Sequence, residues 1–150
     1  MRLDSEAIGK RIRKSRIIAG ISQDRLNGLV GYGKGGVYQL EHGKAMPTAG
    51  RLAALSSVLH VSPEYILYGM SVPARVSYDY DRKACGRRIM DCLLEVKGKT
   101  IDMVCMDLDM HNDTFYTIRH RGPSYLHKPA KIADYFGVDL IWLLFGDEQK

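Results

Sequence analysis

Three side chains in the stretch Gly33-Lys34-Gly35-Gly36-Val37-Tyr38-Gln39-Leu40-Glu41 have the donors and acceptors to read the edges of base pairs. If this stretch is a helix, Val37 and Leu40 form its inward face, and Lys34, Tyr38 and Gln39 are read as its polar groups for a partner. A lysine ammonium suits the acceptors of guanine, and a glutamine carboxamide pairs with adenine through two hydrogen bonds. Gly33, Gly35 and Gly36 weaken the expected helix, since each interior glycine costs about 1 kcal/mol relative to alanine. A frayed start is therefore expected in the free chain. It can order on a partner or allow close backbone approach; weak or relaxed base reading is the other outcome.

Other groupings offer little chemistry. His42, His60, His111, His120 and His127 are scattered, no serine or cysteine has an evident base, and no glycine-rich loop follows a strand. His111 with Asp107 is the nearest candidate, and it reads as a surface pair. Cys85, Cys92 and Cys105 are odd in number, and the first two fall on a helical pattern with Ile89, Leu93 and Val96. They read as core residues, with no second thiol pair or histidine spacing to complete a zinc set. Neither an enzyme nor a metal or cofactor is expected.

The elements that position these residues are helices. From Ser5, read as a cap, a first helix places Ile8, Ile12 and Ile17 or Ile18 on one face and stops at Gly20. Ser22 caps a second helix carrying Leu26, Leu29 and Val30, which Gly31 ends. Val37 and Leu40 belong to the third, ending at Gly43. Leu52, Leu55, Val58 and Leu59 mark a fourth, and Ser62-Pro63-Glu64 starts a fifth that runs to Gly69.

The pattern then recurs. A shift of 77 positions pairs Gly9 with Gly86, Ile12 with Ile89, Ala53 with Ala130, Val61 with Val138, Leu67 with Leu144 and Gly69 with Gly146. Each copy is long enough for its own core, so the expected architecture is all-α: two tandem five-helix domains, 1–70 and 84–150, joined by a linker at 71–83. The linker's tyrosines either pack at the junction or stay exposed. Second-copy helices are expected near 84–97, 100–107, 110–120, 128–136 and 139–145. Phe136, Trp142 and Phe145 read as core, with part of that set available for a subunit interface. The 150 residues, 45% hydrophobic and 26% charged, suit two small globular domains. There is no membrane-length apolar run and no secretory signal, so the chain is expected to stay where it is made.

Two short helices joined by a tight glycine turn, with a third closing the core, form a helix-turn-helix. The detail goes further: Gly20-Ile21-Ser22-Gln23-x-x-Leu26, Val30-Gly31, Val37-x-x-Leu40-Glu41-x-Gly43-Lys44, Pro47 and Leu67-x-Gly69 closely resemble the phage-repressor and Cro type of helix-turn-helix, the XRE-like family, over residues 8–69. That resemblance implies a lambda-repressor-like fold and sequence-specific binding to double-stranded DNA as a transcriptional regulator, of phage or prophage repressor type. It implies a cytoplasmic, nucleoid-associated protein encoded by a bacterium or phage. It also implies phosphate contacts from Gln23 and from the turn at Gly43 and Lys44, and a structural pair between Arg16 and Glu41. The basic first helix, with Lys10, Arg11, Arg13 and Lys14, widens the charged footprint or simply solvates its face; Arg11 is taken as a further phosphate contact. The three glycines depart from the family, standing where polar readers are usual.

Charge divides unevenly: residues 1–70 hold ten Lys/Arg against five Asp/Glu, and residues 71–150 hold twelve against twelve. Polyanion binding is thus expected mainly of the first copy. In the second, Gly98-Lys99-Thr100 aligns with Gly20-Ile21-Ser22 at an offset of 78, which puts Ile101 at the glutamine position and Arg119 at the glutamate position. Asn112, Thr117, Arg119 and Arg121 remain as possible DNA contacts, while Asp107, Asp109 and Asp113 would repel phosphate. Either this copy reads DNA beside the first or it serves as a scaffold that makes a homodimer. The missing anchors favour pairing. The alternative for the whole chain is an antitoxin or adaptor whose residues 84–150 bind a protein partner.

Overall fold

Asp4, not Ser5, caps the first helix: its Oδ1 accepts from the backbone N–H groups of Glu6 (3.0 Å) and Ala7 (3.1 Å). Ser5 is the first helical residue, and its hydroxyl instead donates to the Gly43 carbonyl. In the computed structural model, which describes residues 2–147, this helix is α1 (Ser5–Ile18). It is followed by α2 (Gln23–Val30), α3 (Gly36–Glu41), α4 (Ala49–Leu59) and α5 (Pro63–Tyr68). Ser22, Thr48 and Ser62 cap α2, α4 and α5 with their hydroxyls, and Gly31 and Gly69 close α2 and α5 with positive φ. The chain divides after Asp79 into two compact units. The second holds α6 (Arg82–Glu95), α7 (Ile101–Asp107), α8 (Asn112–Arg121), α9 (His127–Phe136) and α10 (Leu140–Phe145). All regular structure among the described residues is helical, as expected.

In the first unit, Ile8, Ile12, Leu26, Val37, Leu40, Leu52, Leu55 and Ile66 are each at most 1% exposed. The expected α1 face needs correction, because Ile17 and Ile18 are 56% and 77% exposed and Ser15 is buried in their place. At 3.6 residues per turn, Ile17 lies half a turn from Ile8, whereas Ser15 falls beside it. Leu29 likewise points outward, and Asn27 takes the inner position on α2. The α1–α3 crossing is close enough to require Gly9: a Cβ there would lie 2.1 Å from the Leu40 carbonyl oxygen. Segment 70–79 is irregular but attached, since Ser57 Oγ accepts from the Tyr78 N–H (2.9 Å) and the Tyr78 side chain is buried.

The second unit repeats two of these devices at positions 77 later. A Cβ on Gly86 would meet the Arg119 carbonyl oxygen at 2.4 Å, in the manner of Gly9. Arg11 donates to the Ile66 carbonyl (3.0 Å), and Arg88 donates to those of Leu143 (2.9 Å) and Leu144 (2.8 Å). The largest side chain of its core is Phe115; Phe136, Trp142 and Phe145, expected there, are only half-buried. Cys85, Cys92 and Cys105 are buried and unbridged, as core residues should be. Burial pushes the Cys85 thiol up to about 11, which suppresses the reactive thiolate. No helix among the described residues is long and apolar enough to cross a membrane.

Candidate nucleic-acid interface

The junction between α2 and α3 is built on hydrogen bonds that reach across sequence. Gly35, at the start of α3, has φ +82 and no side chain with which to cap the helix. Asn27 supplies the cap from ten residues upstream: its buried Oδ1 accepts from the Val37 N–H at 2.8 Å. That long-range bond holds the helix start, where the glycines alone led to an expectation of fraying. Gly33 and Gly35 lie ahead of the helix, so their helical cost does not arise. Gly36 sits against Tyr32, where a Cβ would come within 2.6 Å of the tyrosine Cβ and 2.7 Å of its ring. Burial raises the Tyr32 hydroxyl pKa, and Arg51 lies over its ring at 4.4 Å. Replacing Asn27 with leucine leaves the Val37 N–H buried and unpaired, and about 1–3 kcal/mol of stability should be lost in urea unfolding.

The far end of α3 is held by a charged cluster. Arg16 grips Glu41 with two parallel bonds, Nε to Oε1 at 2.5 Å and Nη2 to Oε2 at 3.2 Å, and its Nη1 donates to the Ile21 carbonyl at 2.9 Å. The expected structural pair is present. Gln23 joins it, its Nε2 donating to Glu41 Oε2 at 2.8 Å. The glutamate side chain is only 1% exposed, so α1, the turn at Ile21, α2 and α3 all converge on one buried carboxylate. The family resemblance implied two members of this cluster and gave the third, Gln23, only to phosphate. In this structure one hydrogen of the Gln23 amide is committed inward, and one remains.

Outside, α3 presents Tyr38 and Gln39, with Lys34 in the preceding turn and Lys44 after the helix, all exposed. Lys34 is therefore not helical, contrary to expectation, because α3 begins only at Gly36. Tyr38 is held in place: its ring stacks on His42 with centroids 3.9 Å apart, and Lys44 Nζ lies 5.8 Å from the ring centre. Two expected phosphate contacts have other employment. The Gly43 N–H donates to the Leu40 carbonyl, closing α3, and its carbonyl accepts from Ser5. Arg11 is turned inward onto the end of α5, where the last carbonyls lack helical partners. Lys10, the exposed neighbour of Arg11, forms a surface pair with Glu6 at 3.2 Å, worth little in stability.

In the second unit Asn112 is bonded to Asp102, Thr117 donates to the Asp113 carbonyl, and Arg121 is exposed. Arg119 faces inward, its Nη1 3.6 Å from Met90 Sδ. The His111–Asp107 pairing does not form: Asp107 Oδ2 accepts from Lys99 Nζ and from the Tyr135 hydroxyl, each at 2.6 Å. His111 lies beside Asp113 instead. Among the described residues no group of three or more His, Cys, Asp or Glu is placed to hold a metal ion.

Residues 12–66 match a family model described as helix-turn-helix. An SPβ prophage-derived uncharacterized HTH-type transcriptional regulator, YonR of Bacillus subtilis (strain 168), is 38% identical over 61 residues, which are 41% of this chain and 56% of that protein. The chain thus spans little more than half the length of the curated relative it matches. Among solved structures, the P22 c2 repressor in complex with synthetic operator 9T is 34% identical, covering 47% of this chain and 100% of that one, with a TM-score of 0.41. The restriction-modification controller protein C.AhdI from Aeromonas hydrophila is 26% identical over 43% of this chain and 97% of its own, with a TM-score of 0.40. On the strength of the capped, glycine-turned α2–α3 pair and the family match, residues 12–66 form a helix-turn-helix domain.

Proposed function

We propose that the chain is a sequence-specific DNA-binding transcriptional regulator, a repressor of phage or prophage type, that lays α3 of its first unit in the major groove of operator DNA. The observation that carries this is the division of α3 into two sides. Val37, Leu40 and Glu41 are buried in the unit, so the helix is held rigidly while Tyr38 and Gln39 face outward with Lys34 and Lys44 at its ends. Lys34, Tyr38 and Gln39 are the base readers in this proposal, and Lys44 with the free hydrogen of Gln23 contacts phosphate. The basic excess of residues 1–70 supports the same side of the chain.

The recurrence at 77 positions, with equivalent glycine and arginine contacts in each unit, supports a duplicated domain whose second copy has lost the anchors. We assign the first unit to DNA, the irregular segment between α5 and α6 to a linker and the second unit to pairing two chains, so that two first units meet an inverted repeat about one helical turn apart. Such a protein would act in the cytoplasm, on the nucleoid, without enzymatic activity.

Selection from a genomic fragment library, followed by binding titrations at several salt concentrations, tests the reading. A preferred fragment should emerge, and Lys34→Ala with Gln39→Ala should reduce preference for it by about 10- to 100-fold while leaving nonspecific affinity near its original level. Gln23→Ala should weaken binding to all sequences alike. Equal losses of preference in both variants would remove these roles. A chain with no preferred fragment would instead be the antitoxin or adaptor that captures a protein through residues 84–150.

A further inference from the structure

Where the first unit keeps two carboxylates, the second has cations. Glu6 pairs with Lys10 on α1, but the residues 77 positions later are Lys83 and Arg87, two like charges one helical turn apart. Glu41 anchors Arg16 and Gln23, but the residue 78 positions later is Arg119. Both replacements line one cleft of about 510 Å³ between α6 and α8, together with Arg88, Asp91 and His120. Four fixed cations therefore face one carboxylate. Arg88 is already occupied by the carbonyls at the end of α10 and contributes charge alone.

Arg119 is the centre of the imbalance. Its Nε is buried without a hydrogen-bond partner, and Nη1 has only the weak acceptor Met90 Sδ at 3.6 Å. Its guanidinium carbon lies 5.4 Å from the Tyr116 ring centre, and that ring packs on His120 at 4.2 Å. A partly buried guanidinium lacking any carboxylate is costly, and an anion in the adjoining cleft would supply the missing charge. We propose that the α6–α8 cleft of the second unit is a phosphate-binding site, with Lys83, Arg87 and Arg119 as its cations and His120 at its edge. This departs from the pairing role assigned above by giving the second unit a ligand of its own. The phosphate belongs either to a free phosphate compound or to the DNA backbone.

The test titrates the ¹⁵N-labelled full chain with inorganic phosphate at constant ionic strength, and measures the salt dependence of DNA binding in parallel. Amide resonances of α6 and α8 should shift and saturate with phosphate. Lys83→Gln with Arg87→Gln, both exposed positions, should abolish that response without unfolding the unit. Arg119→Met should abolish it too while leaving thermal stability unchanged or higher, which a merely structural arginine would not do. Saturation with an unchanged salt slope identifies a free phosphate compound. A slope lowered by about 0.9 for each lost contact in the Lys83/Arg87 variant identifies the DNA backbone. If neither the titration nor the slope distinguishes wild type from variants, the site does not exist. The titration needs no DNA, so it stands apart from the outcome of the operator selection.

Discussion

Glu41→Ala should lower the stability of the first unit by about 3–5 kcal/mol, because removing one partner of a buried ion pair strands the other charge. The side chains of Arg16 and Glu41 are 13% and 1% exposed, so water does not replace the lost carboxylate. Arg16 would keep only the Ile21 carbonyl, and the Gln23 amide would lose its recorded acceptor. For a domain of this size each 1 kcal/mol moves Tm by about 4–8 °C, so the corresponding transition in the full chain should fall on the order of 20 °C. Calorimetry of the full chain measures this directly. Arg16→Met combined with Glu41→Leu should recover much of the loss, since an apolar replacement of a buried pair is often nearly neutral. A single-variant loss below about 1 kcal/mol, as for an exposed pair, would show that the cluster does not hold the helices together.

Gly9→Ala should also destabilise the first unit, by about 2–3 kcal/mol, even though alanine favours a helix by about 1 kcal/mol over glycine. The added Cβ would fall 2.1 Å from the Leu40 carbonyl oxygen and 3.0 Å from that of Glu41. Both obstacles are backbone atoms of α3. The helix cannot give way without shifting Tyr38 and Gln39, the base readers of the proposed function, so affinity for the preferred fragment should fall along with stability. Gly28→Ala is the matched control, as a Cβ there meets nothing within 4 Å and the residue is exposed. It should stabilise by about 0.5–1 kcal/mol. The two substitutions should thus have opposite signs in urea unfolding. The same sign for both would mean that α1 and α3 do not cross as closely as described.

Much of the fold was legible because helix ends and faces are written locally. Ser22, Ser62 and Thr100 carry oxygens that reach amides three residues on, and the apolar spacing of Leu52, Leu55 and Leu59 marks an inward face within one helix. Errors arose where two local signals competed. Asp4 and Ser5 are both good caps, and the carboxylate of Asp4 took the amides while Ser5 found a carbonyl on a distant loop. The isoleucines at 17 and 18 looked apolar enough to be core, but only the packing partner determines which edge of α1 is covered.

By itself the sequence determined the ten helices of the described residues, a recurrence at 77 positions and a helix-turn-helix, and its resemblance to a known family implied the Arg16–Glu41 pair. These follow from hydrogen bonds and periodicities that span a few residues, or from a pattern of residue types at set spacing. Tertiary structure alone decided what the polar residues do. An arginine reads the same whether it meets a phosphate or the last carbonyls of a helix, and the packing of α5 against α1 sent Arg11 to the latter. Asn27 caps α3 across ten residues, Gln23 joins a carboxylate eighteen residues away, and the Gly43 amide, expected at a phosphate, closes α3. A polar group satisfies its bonds wherever folding brings a partner, and the position of that partner is not a local property of the chain.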